Sequence, residues 1–426
     1  MKQRTLFESE PNFVNRRVAE VTFQGKLLLP IHRWYRLTPS FSPQLALDIA
    51  SSFGLRSHDF VLDPFSGVGT VPLCMKYQGI PACSVELNPY LLFVGTVKTQ
   101  TYRDLDAIEE TFSRFLRLLK TELRNLPAEK AADGYLEEHA AWIPQISNPE
   151  RWWSPGNLMQ LVSLRRLVAS FEAKPHHLNL LKMGILGILV PVSNAKHNHV
   201  SLTFAEKPLP MVDLLDVLTA KLEDIADDLR AVINIPCSDV NVHHGNSKSL
   251  STVLPPDERP SAVITSPPYP NRFSYARETR PHLFFFDFIE SAKAVGELET
   301  DAIGGTWGKA TSVLMAGIEP ANDLINSLLA PYTANINGSG PLMAYYVTKY
   351  FNDIYEHARE VAAVCREKAR LAYVIGNSKF YEHPLPSDEI LASIFSHFGF
   401  DLERIDRLRK RQSKAGLYEA VVFMRR

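Results

Sequence analysis

The sequence predicts an α/β protein built on a doubly wound, mostly parallel sheet with a helical insertion. Three short apolar runs closed by turn residues have the composition of strands covered on both faces. They are Phe60-Val61-Leu62 before Asp63-Pro64, Ala262-Val263-Ile264 before Thr265-Ser266-Pro267, and Leu371 to Ile375 before Gly376-Asn377. Helical patterns at Pro43 to Phe53, Val71 to Gln78 and Tyr350 to Lys368 fall between them, the alternation of a sheet with helices on both faces. Long amphipathic stretches, including Leu105 to Leu123 and Val212 to Ile233, interrupt that alternation.

Ala82 to Glu86 and Val240 to His244 are weaker strand candidates. Leu402 to Leu408 and Glu419 to Met424 form a terminal hairpin pattern around the basic turn 409–416. The expected organisation is therefore a first part of the core over 1–100, an insertion over 101–240 that carries Trp142, Trp152 and Trp153, and a second part of the core over 241–426. Within the last part, residues 290–340 are rich in small and polar residues. Gly304 to Gly308 and Asn335 to Gly340 are expected loops of a lid.

At 45% hydrophobic and 22% charged residues, the chain can bury a large core without disulfides. Cys74, Cys83, Cys237 and Cys365 are scattered without zinc or disulfide spacing, which suits a reducing compartment. The start, MKQRTLFESEPNF, has no apolar core after its basic residues, and no run of about 18 apolar residues follows, so a soluble, cytoplasmic protein is expected. A net charge of -1 excludes a uniformly basic nucleic-acid binder but leaves room for a local cationic face. His197 and His199 lack a suitably spaced third ligand, so no metal is expected.

Val61-Leu62-Asp63-Pro64-Phe65-Ser66-Gly67-Val68-Gly69-Thr70 runs from a strand through a glycine turn into a helix. Gly67 and Gly69 are expected to let the backbone approach a ligand that side chains would block. Glu86 follows 17 residues after Gly69 at the end of the next strand, where a carboxylate can accept both hydroxyl protons of a ribose. The third glycine of a dinucleotide fingerprint is missing, as is a phosphate-cradling loop, so a nucleoside cofactor without phosphates suits the turn better. Taken alone, the turn also fits a plain strand-to-helix connection.

Thr265-Ser266-Pro267-Pro268-Tyr269 follows an apolar strand directly. Two successive prolines hold a rigid extended turn and leave the Pro267 carbonyl free. Tyr269 offers a flat face on which a base can stack. Pro236-Cys237 is a competing motif, since it resembles the Pro-Cys nucleophile that cytosine-C5 methyltransferases use. It precedes a strand where the Ser-Pro-Pro-Tyr turn follows one, so a structural cysteine is expected.

Together, Asp63 to Thr70 and Thr265 to Tyr269 resemble the cofactor and catalytic motifs of the DNA amino-methyltransferases of restriction-modification and phage-defence systems. The resemblance implies a Rossmann-like sheet of the class I methyltransferase type and S-adenosylmethionine as cofactor. It implies a catalytic set of Ser266, Pro267, Pro268 and Tyr269. It also implies cofactor contacts from Asp63, Pro64, Phe65, Ser66, Gly67, Gly69 and Thr70, from Glu86, Leu87 and Asn88, from Asn246 and Ser247, and from Ser42 in the segment Ser40-Phe41-Ser42-Pro43. His32 to Tyr35 resembles the segment that precedes the glycine motif, and Ile375 to Ser378 with Glu419 to Val421 resembles the closing strands. Gly245-Asn246-Ser247 departs from the family's usual Gly-Asp-Ser or Gly-Asp-Ala. The motif order resembles the α-type arrangement, and 101–240 is assigned to target recognition by position.

An exocyclic base amine is a poor nucleophile because its lone pair is delocalised into the ring. An enzyme must accept its N–H hydrogen bonds, as Ser266 Oγ and the Pro267 carbonyl can, on a base extruded from the duplex. Serine at the head of the turn is the family's usual choice for cytosine N4, which makes that the expected target over adenine N6. An RNA or protein amino group, a non-catalytic cofactor-binding subunit and a nicotinamide oxidoreductase are the other readings. DNA and a cognate restriction or defence-system protein are the expected partners. Arg272, Arg277, Arg280, Lys196, Arg409 and Arg411 are candidate DNA contacts against ordinary solvated surface. Trp152 and Trp153 are read as core first and base contacts second.

Overall fold

The computed structural model describes residues 29–35, 37, 40–198, 201–306, 308–338, 340–410 and 416–426. The expectations placed on the first 28 residues, His199, Trp307, Ser339, Arg411 and the rest of 411–415 lie outside the described residues.

Runs without polar alternation belong where both faces of a sheet are covered. Val61–Asp63 (β1), wholly buried, sits inside a seven-stranded sheet among the described residues. The others are Ala82–Glu86 (β2), Val240–His244 (β3), Ala262–Thr265 (β4), Arg370–Gly376 (β5), Asp401–Lys410 (β6) and Tyr418–Arg425 (β7). Their order is β6-β7-β5-β4-β1-β2-β3. β7 runs against β5 and β6, and the other pairings are parallel. This is the Rossmann-like doubly wound sheet read from the sequence.

The strand order positions the site. The chain leaves β1 outward to β2 and β3, then returns to β4 on the other side of β1. The loops after β1 and β4 diverge and leave a crevice at the carboxyl ends of these strands, the usual ligand position in an open α/β sheet. Both sequence motifs follow those two strands.

Side-chain alternation divides the cover. Val61, Ile264, Ala372 and Val421 face one layer, shared with Leu45, Ile49, Val71 and Met75 of the helices Pro43–Ser52 and Thr70–Tyr77. Leu62, Val263, Leu371 and Tyr373 face the other, shared with Tyr350 and Ile354 of Pro341–Val364 and Leu391 of Ser387–His397.

Between β2 and β3, the helices Pro89–Thr99, Leu105–Arg124, Pro155–Ser170, Pro175–Ile188 and Leu214–Val232 share one apolar core. Leu105–Arg124 buries Ile108, Thr111, Phe112, Phe115 and Leu119, a stripe at steps of three and four that faces this core. A two-stranded ribbon, Ala195–Asn198 with Ser201–Phe204, projects from the same region. Trp153 is fully buried and donates from Nε1 to the Leu189 carbonyl at 3.0 Å, and Trp152 packs edge-on to Phe204. Both tryptophans are core, and the expectation of base stacking for them is withdrawn.

The region 290–340 corrects the expectation in part: it forms the helices Ala292–Asp301, Lys309–Met315 and Asp323–Asn337, while Gly304 and Gly305 lie in the expected connection between the first two. Ser291 and Asn322, which suggest loop by composition, are N-caps whose side chains accept from Ala294 N and Ile325 N. Asn335 to Asn337 are helical, not loop. The helix expected from Tyr350 begins earlier, at Pro341, where proline suits a first turn, and it stops at Val364. Among the described residues, no helix is long and apolar enough to cross a membrane.

Candidate active site

The crevice between the β1 and β4 loops is one continuous cleft, lined by both motifs. Asp63 ends β1, and its Oδ1 accepts from Phe65 N at 3.1 Å and from Thr265 Oγ1 of β4 at 2.6 Å. The cofactor turn is thereby tied to the strand that leads into the catalytic turn. Burial pushes the Asp63 carboxyl up to about 6, against the lowering effect of those two hydrogen bonds.

The glycine turn is held by Ser66 N donating to the Val85 carbonyl at 3.0 Å and Gly67 N donating to Glu86 Oε2 at 2.7 Å. Gly67 has φ +53°, and a Cβ there would meet only the Phe65 carbonyl, at 3.9 Å, so its open side faces the cleft. Gly69 serves differently from the sequence expectation. At φ +73° a Cβ would lie 3.1 Å from Gly95 Cα, and Gly69 does not line the cleft. It is glycine because the helix Pro89–Thr99 passes against it, not because a ligand does. Gly69→Ala is expected to destabilise the fold by about 1–3 kcal/mol, from left-handed backbone strain and that contact. A denaturant melt of the variant checks it, and an unchanged midpoint would contradict this account.

Glu86 ends β2 with both oxygens engaged, Oε2 by Gly67 N and Oε1 by Asn88 N at 2.8 Å. Burial pushes its carboxyl up to about 7, with the amide donors opposing. Asn88 caps the next helix, its Oδ1 accepting from Tyr90 N and Leu91 N, and its Nδ2 donates to Thr279 Oγ1 at 2.9 Å. Asn88 and Leu87 both line the cleft. After β3, Asn246 Oδ1 accepts from Lys248 N while Nδ2 donates to the Asp301 carbonyl at 3.3 Å. An aspartate could not make that second bond, so the departure at Asn246 couples the cofactor loop to the end of the helix Ala292–Asp301. Ser247 also lines the cleft, and its carbonyl contacts buried His357 Nδ1 at 3.0 Å.

In the catalytic turn, Ser266, Pro268 and Tyr269 line the cleft, whereas Pro267 is buried between them and does not. The Pro268 carbonyl accepts from Tyr350 Oη at 2.8 Å, which fixes the turn from below. Ser266 Oγ has no hydrogen-bond partner among the described residues. Ser66 Oγ, buried in the opposite wall, has none either. Ser66 is the buried one of the two, and an unpaired buried hydroxyl in a cleft wall indicates a place for a polar ligand.

Asp63, Pro64, Phe65, Ser66, Gly67 and Thr70 thus line one cleft with the catalytic turn. Ser42 does not. It is buried and caps the helix Pro43–Ser52, accepting from Leu45 N at 3.4 Å, while its neighbours Ser40 and Phe41 line the cleft. Half-buried Cys237 lies outside the lining. Arg277 is exposed beyond the catalytic turn. Arg280 donates to Ser147 Oγ at 3.0 Å, and burial lowers its pKa. Arg272 sits at φ +61° with its backbone N bonded to Tyr346 Oη at 3.1 Å. Lys196 and Arg409 lie in strands whose side chains at those positions are outside the described residues.

Sequence reasoning missed Phe273, Tyr275, Glu299 and Glu419, which also line the cleft. Glu299 accepts from Ser274 Oγ at 2.7 Å and Thr306 N at 3.1 Å, drawing the helix Ala292–Asp301 over the mouth. Glu419 reaches this rim because β7 is antiparallel, so its first residues meet the last residues of β5.

The chain is 23% identical over 450 residues to the Type II methyltransferase M.BsoBI of Geobacillus stearothermophilus, an alignment that spans 95% of this chain and 85% of that protein. It is 22% identical over 425 residues to the Type II methyltransferase M.AvaI of Anabaena variabilis, spanning 90% and 82%. No family model matches the chain. Among solved structures, TrmN from Thermus thermophilus aligns with a TM-score of 0.30 and 8% identity over 91% of this chain and 50% of that one. The rRNA methyltransferase aviRa from Streptomyces viridochromogenes aligns with a TM-score of 0.31 and 10% identity over 92% and 87%.

Proposed function

We propose that the chain is a DNA methyltransferase similar to the type II enzymes, and that it methylates DNA with S-adenosylmethionine at the exocyclic N4 of a cytosine flipped out of the duplex. The observation that carries this reading is the shared cleft, where the glycine turn after β1 and the Ser-Pro-Pro-Tyr turn after β4 face each other. S-adenosylmethionine supplies an electrophilic methyl group. The residues present fit it: the Glu86 carboxylate for ribose hydroxyls, the open backbone at Gly67, the orphaned Ser66 hydroxyl, and Asn246 with Ser247 for the adenine end.

Tyr269 offers its face to the extruded base. Ser266 Oγ, which lines the cleft where buried Pro267 does not, accepts from the amine and holds its lone pair toward the donor. Most of the acceleration then comes from orientation and preorganised acceptors, with no covalent enzyme intermediate. Arg277 beyond the turn and the insertion over 101–240 are assigned to the DNA backbone and to target recognition. A cognate restriction or defence-system protein is the partner this reading implies.

Transfer of labelled methyl groups to DNA, RNA and protein offered together tests the substrate class. Label in DNA is the expected result, and label confined to RNA or protein would overturn it.

A further inference from the structure

We propose that the Glu419 carboxylate accepts the proton that the target amine sheds on methylation; this builds on the amino-methyltransferase reading above. The catalytic turn leaves a chemical gap. The Ser266 hydroxyl can accept a hydrogen bond from an amine but does not hold a proton at neutral pH, and a methylated exocyclic amine has one proton fewer than its precursor.

Four carboxylates line the cleft among the described residues: Asp63, Glu86, Glu299 and Glu419. Asp63 is tied to Phe65 N and Thr265 Oγ1 at the β1–β4 junction. Glu86 holds the glycine turn and Asn88 N at the cofactor end. Glu299 is bound to Ser274 Oγ and Thr306 N, closing the mouth. Glu419 stands apart from these in position. The register sets it opposite Gly376 at the end of β5, the neighbour of β4, so it lies on the catalytic turn's side of the crevice. Its Oε1 is 3.5 Å from Tyr269 Oη, so the carboxylate and the stacking ring share one wall. Glu419 is half-buried, which leaves water a route to remove the proton afterwards.

The step balances. As the N–C bond forms, the donor's S–C bond breaks with its electron pair passing to sulfur. The N–H bond pair stays on nitrogen while the proton moves to Glu419, and the resulting carboxylic acid releases it to water.

Glu419→Ala and Glu419→Gln, assayed beside wild type by single-turnover methyl transfer, test the proposal. Calorimetric cofactor affinity and 2-aminopurine fluorescence at the target base serve as readouts apart from turnover. Both variants are expected to slow transfer about 100-fold or more, the usual weight of a positioned proton acceptor. Cofactor affinity and base extrusion should stay within about twofold, because the carboxylate acts after binding. Formate should restore the alanine variant at least about tenfold and leave the glutamine variant unchanged, since only the former has room for a replacement carboxylate. Transfer within about threefold of wild type in both variants, or a slow alanine variant that ignores formate, would overturn the proposal. The second outcome is what a role limited to holding Tyr269 predicts. Wild-type label in DNA reports on the reading itself, so a failed proposal with active wild type stays distinct from a failed reading. Absence of wild-type transfer to DNA, RNA and protein alike would overturn both.

Discussion

Ser266→Ala is expected to slow methyl transfer about 100-fold to 1,000-fold, the cost of removing one preorganised hydrogen-bond partner from a reacting group. Cofactor affinity should stay within about twofold, because Ser266 belongs to the β4 loop and not to the glycine turn. The effect is large because Ser266 Oγ has no other partner among the described residues, so its lone pairs are available to the amine. It should also be local, since the turn's shape is held elsewhere by the two prolines and by Tyr350 Oη on the Pro268 carbonyl. Single-turnover rates beside calorimetric affinities check this. A variant that lost both in proportion would show that Ser266 shapes the cleft instead of acting on the amine.

Glu86→Gln is expected to weaken S-adenosylmethionine binding about 10-fold to 100-fold, the weight of hydrogen bonds to a charged acceptor. The sign of its pH dependence follows from the raised carboxyl. Ribose hydroxyls are bound by the ionised form, and burial holds the free protein's Glu86 at about 7 in place of its ordinary 4.5. Binding must therefore release a proton below about pH 7, and wild-type affinity should fall by up to tenfold for each pH unit below that point. The same shift acts on the unliganded fold in the complementary sense. A raised acid contributes stability that is fully present below about pH 4.5 and is lost as pH rises through about 7, where the buried group ionises without its ligand. Calorimetry from pH 6 to 9 reads the binding effect. A wild-type affinity that is flat across this range, or a glutamine variant with the same slope, would remove Glu86 from the cofactor's recognition.

The strands that carry the chemistry were legible because burial on both faces leaves an unbroken apolar run, as at Val61-Leu62 and Ala262 to Ile264, and each run ends at a turn. The residues closing those runs were legible as well, because glycine and proline have few uses at a strand's end. Roles that depend on neighbours distant in sequence were not. Gly69 suits a close ligand when seen alone, and only the passage of Gly95 against it shows that a helix takes that space. Ser42 sits in a plausible ligand-binding segment, but its position before Pro43 makes it a cap. Glu419 could be found only after the antiparallel placement of β7 was known. The helices over 290–340 were hidden by their own caps and by glycines between them, which give a short helical array the composition of a loop.

On the proposed function, one cleft brings a methyl donor held at Glu86 and Gly67 to a base amine held at Ser266. Mass spectrometry of nucleosides from DNA incubated with the protein and S-adenosylmethionine tests it most directly. N4-methyldeoxycytidine with wild type, and its loss with Ser266→Ala, is the predicted result. N6-methyldeoxyadenosine alone would contradict the cytosine assignment, and methylated DNA undiminished by Ser266→Ala would contradict the cleft as the place of transfer.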